Sequence, residues 1–170
     1  MSQRPWWHWC LSVLGWANAF PLTLIVTPAI LVLAVAKQVR LYRPADDGLL
    51  TLAFLIPLEV VPGSKLEKSS WRGMTCGCYA LVNDRGRGLE KGWLHRAWRH
   101  EQEHVFQQYG FGVLMPVLYV MFSIIVWVFM RDKHSYFDNP FEAAARKAAG
   151  QQVVIPRDQW WDEDDRWLWW

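Results

Sequence analysis

The chain is short of cysteine. Cys10, Cys76 and Cys78 are the only three in 170 residues, and so small and odd a number argues against a disulfide framework. It also lacks a surplus of either charge. Eighteen basic residues face sixteen acidic ones, for a formal net charge of +2. That balance removes the strong basic excess of a nucleic-acid reader, so no nucleic-acid partner is expected. Disordered and collagen-like classes are excluded as well, because the chain is 52% hydrophobic and still 20% charged. No internal repeat is visible. What the chain has in excess is tryptophan, at 13 residues. Trp6, Trp7, Trp9 and Trp16 cluster near one end, and Trp160, Trp161, Trp167, Trp169 and Trp170 at the other. Such clusters suit interfaces, between membrane and water or between proteins.

Two uncharged apolar runs lie between them, Ala17 to Ala36 and Phe111 to Met130. Each is long enough as a helix to cross a hydrocarbon core of ~30 Å. The first reads as an uncleaved anchor, although Ala17-Asn18-Ala19 has the look of a small-residue cleavage site. Lys37, Arg40 and Arg43 follow it closely. The positive-inside rule therefore places the following segment, and any site in it, on the cytoplasmic side of a bacterial inner membrane. A larger assembly such as a virion is the alternative that needs no lipid.

The middle of the chain reads as β structure. Thr51 to Val61 is rich in strand formers, but Pro57 demotes it to an edge or bulged strand. Pro62-Gly63-Ser64 is a turn signal. Met74 to Val82 is a second strand candidate, closed by a turn at residues 83–88. The tail from Gln151 shows no periodicity, and Asp162 to Asp165 forms an acidic run between Trp pairs.

The sharpest chemical feature is His100-Glu101-Gln102-Glu103-His104, an H-E-x-x-H motif in the Gly-free and Pro-free stretch Trp93 to Tyr109. Gly92 and Gly110 are the expected boundaries of that helix. Four-residue spacing puts both imidazoles on one helix face, where they can hold one Zn²⁺. Glu101 can then reach a metal-bound water as general base. With 5 His in the chain, random placement yields only about 0.006 such matches. A solvated helix face carrying i,i+4 pairs such as Arg99 with Glu103 is the bland alternative.

A zinc site needs a third protein ligand and an open position. Glu142, in Asn139-Pro140-Phe141-Glu142, is the leading candidate. Asn139 is a good N-cap and Pro140 a good first helical residue, while Gly150 can end the helix. Glu142 also occupies the capping-box position, where it would serve only the cap. His134 is a rival ligand, and His95, Cys76 and Cys78 are weaker ones. Cys76 and Cys78 read as small core residues on one face of a strand.

With these residues in view, the chain resembles the zincin metallopeptidases of the gluzincin type. It is similar to small H-E-x-x-H proteins of bacterial and phage genomes, through HEQEHVFQ (His100 to Gln107) and NPFEAAAR (Asn139 to Arg146). The resemblance covers roughly Met74 to Gly150. It implies zinc held by His100, His104 and Glu142, with Glu101 catalytic. It also implies a peptide or protein substrate laid along an edge strand, for which Met74 to Val82 is the match.

The expected fold is α+β: a short antiparallel sheet against the H-E-x-x-H helix, an apolar helix and a Glu-bearing helix. Residues 1–36 would be the Trp-rich N-terminus and anchor, 37–150 the zincin-like core and 151–170 the acidic tail. The expected function is a membrane-associated zinc metallopeptidase. The alternative is a structural or interaction protein of a membrane or virion assembly with an idle metal site. One constraint follows. If Phe111 to Met130 crossed a membrane once, Glu142 would lie on the side opposite both histidines. Either that run bends back or packs as a core helix, or Glu142 is not a ligand.

Overall fold

The structure, a computed structural model, describes residues 6–41, 55–68, 73–83 and 91–157, with side chains in residues 6–14 and 91–95 left outside the description. The N-terminal Trp cluster up to Trp9, Cys10, His95, residues 51–54, most of the 83–88 turn and the acidic Trp-rich end of the tail therefore lie outside the described residues or side chains.

The first apolar run is the greater part of helix α1, Trp6–Val35. It is apolar all round, yet one stripe is shielded by protein. Gly15, Ala19 and Thr23 are buried on it, four residues apart, and Ile30 and Leu33 continue it toward the sheet. Three side chains carry polar links along that stripe. Asn18 Nδ2 donates to the Tyr109 carbonyl at 3.1 Å. Thr23 Oγ1 accepts from the Cys78 backbone N–H at 2.9 Å. Thr27 Oγ1 shares a hydrogen bond with Tyr79 at 2.9 Å. The expected anchor is thus one wall of the folded body.

Four short strands follow: β1 (Val39–Leu41), β2 (Ile56–Val60), β3 (Gly73–Cys76) and β4 (Tyr79–Val82), in the order β1-β2-β4-β3. The sheet is mixed and not antiparallel, because β2 runs parallel to β4. Two strand expectations are corrected here. The strand containing Pro57 is internal, not an edge. Ile56 N–H donates to the Cys78 carbonyl on the β4 side, so position 57 would aim its N–H the other way. There the pairing with β1 ends at Leu58, and the missing donor of proline costs no ladder bond among the described residues. Met74 to Val82 is not one strand but a hairpin. It turns at Gly77, whose φ of +61° favours glycine and whose Cα faces Thr23 too closely for a side chain. Cys76 ends β3 and Cys78 lies buried in the turn, so they do not share a strand face. The hairpin leaves β3 as the sheet edge. The Pro62-Gly63-Ser64 turn forms as read, with Ser64 N–H bonded to the Val61 carbonyl.

Helix α2 (Lys91–Phe111) carries the H-E-x-x-H motif and includes both Gly92 and Gly110, so it overruns the expected boundaries at each end. Its apolar side, Trp98, Val105 and Tyr109, packs with Ala19 of α1 and with Leu55, Cys78 and Ala80. Trp98 is completely buried. This packing fixes the opposite, polar side of α2 relative to β3.

The second apolar run does not form one straight rod. A 3-10 turn (Gly112–Leu114) with Gly112 at φ +57° separates α2 from α3 (Met115–Phe129). The chain then reverses, and α4 (Pro140–Ala148) returns to the middle of α3. Asn139 makes that return. Its Oδ1 caps α4 by accepting from the Phe141 N–H at 3.0 Å. Its Nδ2 donates to the Tyr119 carbonyl at 3.0 Å and to Ser123 Oγ at 2.8 Å. The run therefore bends back, and Glu142 stays with the body that holds α2.

Asn139→Ala removes both the cap and the clasp on α3 at a fully buried position. It is expected to destabilise the chain by about 1–3 kcal/mol, read as a lower midpoint in urea. A loss within a few tenths of a kcal/mol would assign the return of α4 to its apolar contacts alone.

Candidate metal centre

Helices α2, α3 and α4 and strand β3 converge on one cleft of about 330 Å³. Helix α2 supplies His100, Glu101 and His104, α4 supplies Glu142, and β3 supplies Gly73 and Thr75. His100, His104 and Glu142 are buried, and one potential ligand atom from each lies within 4.8 Å of the others. His100 Nε2 is 3.2 Å from His104 Nε2 and 3.2 Å from Glu142 Oε2. His104 Nε2 is 3.3 Å from Glu142 Oε1. Glu142 therefore faces the histidines and does not serve as a capping-box partner of Asn139, whose own N–H bonds to the Tyr136 carbonyl.

The outer ring nitrogens decide the chemistry of this group. His104 Nδ1 lies 2.8 Å from Gln107 Oε1. The Gln107 amide is oriented by its own Nε2, which donates to the Phe141 carbonyl at 3.0 Å. An oxygen facing Nδ1 requires Nδ1–H as donor. His100 Nδ1 is paired in the same way with Gln151 Oε1 at 3.0 Å. Both rings then present Nε2 lone pairs to each other and to a carboxylate. Three acceptors packed together out of water need a cation between them. In a metal-free chain a proton fills that need. Burial alone would lower the pKa of His104, but its hydrogen bond to Glu142 and the charge of that carboxylate outweigh burial and lift it to about 9. Burial likewise opposes the charge on Glu142, and its hydrogen bonds to both histidines hold it well below the ordinary carboxylate range. The donor set, two imidazoles and one carboxylate, suits a divalent metal ion.

Glu101 points from the same helix toward β3. Thr75 Oγ1 donates to Glu101 Oε2 at 2.7 Å. Burial pushes the Glu101 carboxyl up, against the pull of His100, His104 and the Thr75 hydroxyl. Gly73 makes room for it: a Cβ at that position would collide with the Glu101 carboxylate. Tyr119 donates its hydroxyl to Glu142 Oε1 at 2.7 Å, and burial with that carboxylate keeps the phenol protonated.

The chain matches no protein-family model, no curated protein and no solved structure. The reading of the site rests on its geometry.

Of the rival ligands, His134 stands in the loop after α3. Its Nδ1 accepts from the Tyr136 N–H at 3.2 Å and the Phe137 N–H at 3.4 Å, and burial lowers its pKa. It shapes that loop and is not part of the cluster. Cys76 and Cys78 are free thiols outside the cluster as well, both pushed up in pKa by burial. Sequence reading missed Gln151, Tyr119, Thr75 and Gly73. Tyr119 gave the one usable signal, one of two hydroxyls, with Ser123, inside an apolar run.

Glu142→Gln is expected to lose bound metal, because it removes the one anionic ligand; a capping residue would leave metal in place at a cost of ~1 kcal/mol in stability. Gln151→Leu, which removes the partner of His100 Nδ1, should weaken metal affinity by about 10–100-fold. Titration against a chromophoric chelator reads both, and unchanged affinity in Glu142→Gln would remove it from the ligand set. The pH dependence has a definite sign. His104 is raised to about 9, so in the metal-free chain its contribution to stability is full below the ordinary histidine value of about 6.5 and fades as pH rises through about 9. With metal bound, that alkaline loss should vanish, since the metal replaces the proton. Thermal melts across this range with and without metal test the sign.

Proposed function

We propose that the chain is a membrane-associated zinc metallopeptidase with its site toward the cytoplasm. The observation that carries the reading is a buried two-imidazole, one-carboxylate cluster that opens on a cleft and has the Glu101 carboxylate beside it. A purely structural zinc site closes its coordination with four protein ligands, whereas three ligands and a cleft leave a position for water and substrate. This favours an enzyme over an idle site in a membrane or virion assembly.

His100 Nε2, His104 Nε2 and Glu142 would hold the ion. When bound, zinc supplies a Lewis acid that lowers the pKa of its water and polarises a substrate carbonyl. The chain's own residues do the rest. Glu101 is the base and then the acid: burial raises its pKa and makes it a stronger base, which accepts a proton and then hands it to the departing amine. Thr75 and Gly73 fix the rotamer of that carboxylate from the β3 side. Gln107 and Gln151 hold the two rings with Nε2 inward. Among the described residues β3 has no strand on its outer side, so its edge beside the cleft could take an extended peptide as an added strand.

Two variants separate binding from chemistry. Glu101→Gln should keep stoichiometric zinc and lose peptide hydrolysis by about 10²–10⁴-fold, whereas His100→Ala should lose zinc as well. Gly73→Ala should also retain zinc while activity falls, because the added methyl displaces the Glu101 carboxylate. Elemental analysis of the purified chain beside a peptide-library assay checks all three. Zinc retained in the double variant His100→Ala, His104→Ala would sink the proposal.

A further inference from the structure

Two segments are apolar and long enough by composition to cross a membrane: Gly15–Val35, with mean hydropathy 2.0, and a window within Arg96–Phe129, with mean hydropathy 2.3. Their surroundings do not suit a crossing. Among the described residues, the inner stripe of α1 carries a sheet that ends at β1 with no further strand beside it, and lipid offers no partners for such an edge. Helix α3 has only 15 residues, ~22 Å at 1.5 Å per residue, against a hydrocarbon core of ~30 Å. Beyond it come the exposed Arg131, Asp132 and Lys133, and the non-helical segment 130–139 then returns to the level of Tyr119 at Asn139.

The outer faces nevertheless need a partner. On α1 they expose Leu24, Ile25, Leu31, Val32 and Val35, up to 85%. On α3 they expose Val117, Ile124, Trp127 and Phe129, up to 78%. The two faces join where the turn at Gly112 stands against Asn18 of α1. A protein partner would be met by polar groups, about one hydrogen bond per 100–200 Å². Among the exposed residues from Trp16 to Ala36 and from Val113 to Met130, Asn18 is the only amide, alcohol or charged side chain, and it is already bonded to Tyr109. The far ends of both helices carry exposed cations, Lys37 after α1 and Arg131 after α3. Trp127 stands near the second of these, as an interfacial anchor would.

We infer that α1 and α3 lie in the plane of a bilayer, with these faces sunk in one leaflet and Lys37 and Arg131 among anionic headgroups. The chain docks on the membrane without crossing it. The cleft belongs to this arrangement, since Met74, Pro116 and Val120 line it and are exposed at its mouth. It opens at the lipid surface and takes an apolar side chain from a peptide segment lying in the interface. That last clause rests on the peptidase reading, and the docking does not.

The test uses the full zinc-loaded chain with Cys10, Cys76 and Cys78 replaced by Ala. Nitroxide labels are placed one at a time at residues 24, 32, 117 and 124, and the chain is mixed with phosphatidylcholine vesicles with and without phosphatidylglycerol. Docking predicts flotation, stronger with the anionic lipid, and all four labels at one shallow depth of about 5–10 Å. A Leu24→Lys, Ile124→Lys variant should float less while zinc content holds. A label profile through the bilayer centre, no flotation, or labels shielded in a dimer of defined mass would each overturn the inference. For the substrate clause, an apolar peptide bearing an acyl anchor should be cut faster on vesicles than the same peptide without it. Equal rates overturn that clause alone, and no cleavage of either peptide overturns the peptidase reading while docking stands on its own measurement.

Discussion

Three hydrogen-bond acceptors held within 4.8 Å of one another, away from water, form the constraint on which the remaining structure depends. Two imidazole lone pairs and a carboxylate repel each other unless a cation sits between them. Helix α2 supplies the imidazoles at no special cost, since i,i+4 spacing aligns them on any helix. The carboxylate is harder to deliver, as it comes from about forty residues further on. The break at Gly112, the reversal after α3 and the double use of Asn139 as cap and clasp all serve that delivery. Glu142 is then gripped from a third side by Tyr119.

The same arrangement gives the two carboxylates opposite characters. Glu142 faces cation-ready rings and stays ionised far into acid. Glu101, one residue from His100 in the chain, faces β3 and a threonine hydroxyl, and burial raises it. Adjacent positions on a helix point about 100° apart, so neighbouring H and E in sequence face different surroundings in space, His100 the Glu142 carboxylate and Glu101 the β3 hydroxyl. A pair of like groups pushed apart in pKa by their surroundings is the arrangement that acid–base chemistry at neutral pH requires.

Much of this was legible beforehand, and the gaps have physical causes. The helices with strong signals formed where expected: the H-E-x-x-H helix from its spacing and Gly-free run, and the Glu-bearing helix from Asn139 and Pro140. Requiring His100, His104 and Glu142 on one side left either a bend or a core helix for Phe111 to Met130, and the structure has the break at Gly112 with a reversal after α3. The sheet was read less well. A five-residue strand containing proline looks like an edge, and only the register shows that position 57 lacks a neighbour to disappoint among the described residues. Cys76-Gly77-Cys78 looks like continuous strand until Thr23, more than fifty residues away, accepts the Cys78 N–H and completes the turn. Gln151 was invisible as a site residue because a glutamine in an aperiodic tail carries no local pattern. Hydrophobicity showed that α1 needs apolar company, but not that protein supplies part of it.

That last point has a practical side. The usual way to make a membrane-seeking protein tractable is to cut off its greasy N-terminal segment. Here such a deletion would take away Ala19 from beside Trp98, the acceptor of the Cys78 N–H and the partner of the Tyr79 hydroxyl in one stroke. The hairpin that positions Thr75 against Glu101 would lose its backing, and a soluble fragment would be a chain with strand β3 unmoored. Solubility in this fold has to be gained residue by residue on the outer surface of α1, because the helix cannot be discarded without dismantling the wall behind the His100, His104 and Glu142 cluster.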